Sequence, residues 1–139
     1  MTGAVVTPAV RRWAAPVGVA AAVAAATIWV AVVDPDRPGH YPLCPFHAGT
    51  RLWCPGCGSL RAVHALTHGD LAAAVHRNGL LVAALPVVAY AWVGWLRSPA
   101  GGRSGARLRV RTGHGYALVG LILAFGVLRN LPGFSFLAP

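Results

Sequence analysis

Three long apolar runs divide the chain. The first extends from Trp13 to Val33, follows the Arg11–Arg12 pair and stops at Asp34–Pro35. At 1.5 Å of rise per residue, about 20 residues cross a ~30 Å hydrocarbon core, so this run is long enough to span a bilayer. It places Pro16 in the first helical turn, where a missing N–H costs little. A cleaved signal peptide also pairs basic residues with an apolar stretch. This run is longer than a signal core and ends without an Ala-x-Ala site, so a retained helix over about 13–33 is expected. The second run, Gly79 to Leu96, contains Pro86, where a kink is expected, and carries Trp92 and Trp95 near its end as interface anchors. The third, Gly115 to Leu128, is shorter and reaches a spanning length over about 114–131 only if Leu131 and its neighbours extend it or the bilayer thins locally.

Between the first two runs the pattern changes. Residues 34–57 hold five prolines and all three cysteines, a density of proline that predicts a loop without regular helix. A helical pattern resumes at Gly58 and puts Arg61, His64 and His68 in one narrow polar sector. Such an amphipathic segment lies at a membrane surface or packs on a helical bundle. Gly69 breaks it, and Asp70 is suited to cap the helix that follows. Residues 97–114 form a basic loop with five arginines and no acid, and the tail after Leu128 is partly apolar. The expected architecture is all-α: a single membrane domain of about three spans, with a cysteine loop and an interfacial helix across 34–78.

Composition agrees with that reading. The 139 residues are 56% hydrophobic and only 11% charged, with a mean hydropathy of +0.59. Soluble domains carry about 25% charged residues, so lipid is expected to cover part of this surface. The net charge of +9 rests on arginine alone, without lysine. The arginines sit at the ends of apolar runs, where topology explains them better than nucleic-acid binding does. Seven of them fall on the side of the N-terminus and the 97–111 cluster, against five on the other. That asymmetry predicts a cytoplasmic N-terminus and an extracytoplasmic cysteine loop in a bacterial plasma membrane. Exclusive use of arginine with abundant Ala, Val and Gly suggests a GC-rich, actinobacterial genome.

The cysteines are spaced Cys44-x9-Cys54-x2-Cys57, with Pro55 and Gly56 inside the last pair. Zinc takes four tetrahedral ligands, so Cys44 and a histidine would complete a knuckle built on Cys54 and Cys57. His47 and His64 are candidates, as are His40 and His68, and no spacing singles one out. Gly58 would let the chain turn tightly after the knuckle. An oxidising compartment would instead favour a disulfide with one thiol left over. A redox dithiol at a helix start, or inert thiols, are further readings. Arg61 is expected to snorkel or to cap loop carbonyls rather than bind an anionic head group or a partner's carboxylate. Asn78, just ahead of the second run, is placed to hold the loop's carbonyls. Arg129 and Asn130 fall on the same side as the cysteine loop, and Arg129 is expected to donate to the Cys54–Arg61 turn.

The stretch CPGCGSLRAVHALTHGDLAAAVHRN resembles a bacterial membrane family without assigned activity, domain-of-unknown-function family 2752. The likeness falls on Cys54, Pro55, Cys57, Gly58, Arg61, Gly69, Asp70 and Asn78, with Cys44-Pro45 and Arg129-Asn130 also similar. Ser59-Leu60 stands where the family has an apolar residue and Thr, and Gly79 stands in place of Pro. The resemblance implies a small multi-helix membrane protein and brings no reaction with it. Paired carboxylates and a nucleophile–base pair are both lacking, so no enzyme is expected, and the runs carry too few polar groups for a transport path. Their small residues suit packing against other helices. The expected role is an accessory or assembly subunit of a larger membrane complex, such as a respiratory one; an envelope thiol or metal protein is the alternative.

Overall fold

A computed structural model describes residues 8–37, 39–97 and 112–138. Most of the arginine-rich loop expected across 97–114 lies outside the described residues. Those residues form five α-helices and no strand: α1 (Pro8–Val32), α2 (Pro45–Thr50), α3 (Ser59–Thr67), α4 (Leu71–Leu96) and α5 (Thr112–Leu128), followed by a 3-10 turn at Ser135–Leu137. Two stretches, Trp13–Val32 and Leu71–Arg97, are long and apolar enough to cross a membrane, and Gly113–Leu128 is a shorter apolar helix.

Local chemistry accounts for most of the helix ends. The Gly69–Asp70 pair closes one helix and opens the next. Gly69 adopts φ +78°, the left-handed conformation that glycine tolerates best. Its N–H donates to Leu66 O, and the Asp70 N–H donates to Ala65 O, so the last carbonyls of α3 are satisfied. The Asp70 carboxylate then accepts from Ala73 N at 2.8 Å and caps α4. The resulting hairpin is tight because Ala62 and Ala74 are fully buried small residues. The amphipathic α3 therefore packs on the bundle, lying chiefly against α4 and α1.

Several expectations need correction. The cysteine loop is not free of helix: Pro45 starts α2, where proline's missing N–H was an orphan anyway. Because α1 begins at Pro8, Pro16 lies inside the helix rather than in its first turn. The interruption of α4 is at Asn78 (φ −159°, ψ 86°) and not at Pro86. The helix restarts behind it, with Leu81 N donating to Asn78 Oδ1 at 3.0 Å, so Asn78 caps the apolar part of α4. Trp92 Nε1 donates to Pro16 O at 3.3 Å, which ties the end of α4 to α1. The third helix gains no length from Leu131. It ends at Leu128, and its 17 residues span about 26 Å.

Asn78 is 2% exposed. Replacing it by alanine removes both the cap and the donors described below, at a cost of about 2–4 kcal/mol. Thermal unfolding in detergent should show that loss for Asn78→Ala. Pro86→Ala should unfold at the wild-type temperature or above it, because no break in α4 depends on that proline.

Candidate functional site

The Cys54–Cys57 segment is a double turn. Cys57 N donates to Cys54 O at 3.0 Å and Ser59 N to Gly56 O at 3.1 Å, and Gly58 at φ +82° feeds the chain into α3. A turn of this kind leaves carbonyls pointing outward, and buried carbonyls need donors. Two side chains from distant parts of the chain supply them. Arg129 Nη1 donates to Cys54 O at 3.0 Å and to Cys57 O at 3.1 Å, while its Nε holds Leu137 O at 3.1 Å. Asn78 Nδ2 lies 3.0 Å from Pro55 O and 3.2 Å from Cys57 O, and reaches Ser59 Oγ at 3.1 Å. Arg129 and Asn78 are the largest fully buried side chains described. The protein thus organises its interior around a polar knot.

Asn130 fastens the same loop one residue further on. Its Oδ1 accepts from Trp53 N and its Nδ2 donates to Trp53 O, both at 2.8 Å, in the manner of a strand pairing. Nδ2 also donates to Gly126 O at 2.7 Å. A Cβ on Gly126 would meet the Pro55 ring at 3.2 Å, so this glycine lets α5 approach the turn closely. Gly126, Arg129 and Asn130 are spaced to share one helical face. Gly126 escaped the sequence reading, although its position three and four residues before Arg129 and Asn130 was the available signal.

The turn brings three thiols together. Cys54 Sγ lies 3.0 Å from Cys57 Sγ and 3.6 Å from Cys44 Sγ, and all three sulfurs fall within 4.8 Å of one another. They could hold a metal ion. No histidine joins them among the described residues, contrary to the expected fourth ligand. His47 Nδ1 donates to Leu52 O at 3.1 Å, and its ring stacks on Trp53 at 4.0 Å between centroids. His64 Nδ1 donates to Val30 O of α1 at 2.7 Å, and His68 Nδ1 to His64 O at 2.9 Å.

Charges are distributed unevenly around this knot. Arg61 is held by a carboxylate rather than by loop carbonyls: its Nε pairs with Asp36 at 3.2 Å, and Arg77 reaches the same carboxylate at 3.3 Å. Asp36 was not singled out from sequence, although it is one of only three acids in a chain with 12 arginines. Asp34 lies 3.8 Å from Arg37, and Asp70 caps α4. All three aspartates are therefore engaged elsewhere, and among the described residues the buried Arg129 guanidinium has no carboxylate partner. Among the described residues, the groups able to carry negative charge that act on Arg129 are the Cys57 and Cys54 thiols. Backbone N–H donation from His47 and the Cys54 thiol lower the pKa of Cys44. Burial pushes the Cys57 thiol up to about 12.

Two outcomes follow for the metal-free protein. Cys44 should alkylate first as pH rises and Cys57 last. The folded state keeps the Cys57 proton to about pH 12, whereas an ordinary thiol releases it at 9.0. The stability tied to that proton is present below pH 9 and is lost between about pH 9 and about 12, which denaturation at a series of pH values would register. Arg129→Ala should speed both alkylation of Cys54 and proteolysis within residues 44–57. Arg129→Lys should restore little, because an ammonium lacks the planar fork that reaches several carbonyls at once. Unchanged rates in Arg129→Ala would show that the guanidinium does not hold the turn.

No curated protein matches the chain, and no solved structure does. The family comparison covers the cysteines, α3 and most of α4 and stops short of Arg129 and Asn130: residues 44–92 match the family described as protein of unknown function (DUF2752).

Proposed function

We propose that the chain is a bacterial plasma-membrane protein whose Cys44, Cys54 and Cys57 thiolates hold a divalent thiophilic metal ion, zinc in the first instance. In this reading α1, α4 and α5 cross the bilayer, the N-terminus is cytoplasmic and the thiol site faces outward. The observation that carries the proposal is the convergence of three sulfurs beside a buried guanidinium that has no carboxylate partner among the described residues. A disulfide would use two of the sulfurs and leave Arg129 without a countercharge. Three thiolates around a divalent ion carry one net negative charge, which Arg129 offsets, so the buried ensemble is neutral. Zinc ligands must be deprotonated, and the ion would displace the proton that burial otherwise keeps on Cys57.

A second reading, an accessory subunit of a larger membrane complex such as a respiratory one, is favoured by α5. It meets the rest of the molecule mainly at its C-terminal end, through Gly126, and leaves Leu118, Leu121 and Leu123 exposed along its length. Small Ala, Gly and Val side chains on α1 and α4 suit close helix packing.

The full chain, purified anaerobically in mild detergent, should contain one zinc per polypeptide and lose it on Cys54→Ser substitution. One free thiol with no metal would replace this reading by a static disulfide. Cross-linking in native membranes before extraction tests the subunit reading. A specific co-purifying membrane protein is expected, and a lone monomer would end it.

A further inference from the structure

We propose that the three-thiol centre keeps one coordination position open toward an adjoining cationic cleft, and that the ligand taken up there is a small anionic thiol. This rests on the metal reading above and adds a ligand to it. Divalent zinc-like ions prefer four tetrahedral donors, and sites with only three protein ligands leave the fourth position for water or an exogenous group. The described donor atoms close enough to share an ion are the three sulfurs alone. His47 and His64 are turned to the carbonyls of Leu52 and Val30.

The space for a fourth ligand lies on the same side as two of the sulfurs. A cleft of about 510 Å³ has Cys44 and Cys57 in its wall, together with His47, Trp53, Arg37 and Arg61. That volume lies within the range of about 300–1,000 Å³ typical of small-molecule sites. Among the described residues Asp36 is the only acid lining the cleft, and its carboxylate is shared between Arg61 and Arg77. The Arg37 side chain is 78% exposed, and its acidic neighbour, Asp34, is 3.8 Å away. The cleft therefore presents net positive charge to whatever approaches the sulfurs. A soft donor suits an ion already bound by three thiolates, and an anionic tail suits Arg37. An incoming thiol would coordinate as thiolate, release its proton to the buffer and displace water, with no change in oxidation state.

The test uses the full chain in detergent, loaded with cobalt(II) in place of zinc under argon and titrated with 2-mercaptoethanesulfonate. Cobalt should bind with a sulfur-to-cobalt charge-transfer band. The thiol should then shift the ligand-field bands, saturate at one equivalent and raise the charge-transfer intensity by about a third, as three thiolates become four. Arg37→Gln should bind cobalt as before but weaken the sulfonate about fivefold, the scale of one partly exposed ion pair. Neutral 2-mercaptoethanol should bind both proteins equally. Bound cobalt whose spectrum the thiol leaves unmoved, or whose spectrum already shows a fourth protein donor, would overturn the open position while leaving the metal reading intact. Removal of cobalt by the thiol would also overturn it. Failure of cobalt to bind at all would overturn both.

Discussion

A guanidinium cannot be deprotonated under physiological conditions, so burying one obliges the surrounding chain to supply both hydrogen-bond acceptors and negative charge. Arg129 imposes that obligation on this protein. Its acceptors are the outward-facing carbonyls of the Cys54–Cys57 turn and of Leu137. The arrangement is reciprocal, because a proline-interrupted turn has buried carbonyls that no helix or sheet can satisfy. Arg129 and Asn78 complete the turn, and the turn in turn holds α3, α4 and the end of α5 around one point. Few apolar side chains are buried among the described residues, so this polar knot takes the part that an apolar core has in most domains.

The same knot gathers the sulfurs. Cys54 and Cys57 are brought together by the turn itself, whereas Cys44 arrives from the start of α2, ten residues before Cys54. The Asn130 side-chain amide pairs with the Trp53 backbone immediately before the turn, which holds the approach to Cys54 in place. Gly126 has no side chain to keep α5 away from Pro55. Each contact is modest by itself. Together they fix three thiols beside a positive charge, the arrangement on which the metal proposal and its cationic cleft rest.

Electrostatics outside the knot follow a simple economy. Asp36 joins Arg61 of α3 to Arg77 of α4, tying the segment after α1 to the hairpin. Such partly exposed ion pairs contribute little stability. They matter more for what they withhold: with Asp34, Asp36 and Asp70 engaged, the Cys54 and Cys57 thiols are the acidic groups left beside Arg129 among the described residues.

Much of this was legible in the residues themselves, and the division has a physical basis. The apolar runs determine where long helices form. Gly69–Asp70 determines where α3 ends and α4 begins. These depend on groups within a few positions of one another, which is the range of caps, turns and helical periodicity. Local rules also misled where a proline was read without its position. Pro45 opens a helix instead of preventing one, and Pro86 sits where no break occurs. Arg129 and Asn130 were suggestive in the sequence, but which atoms they hold, 75 to 77 residues away, is a matter of tertiary packing. Packing also turned the histidines away from the sulfurs and assigned Asp36 to two arginines. Spacing along a chain sets which groups can meet within one turn; which groups meet across it depends on how the helices pack, and only the folded arrangement decides that.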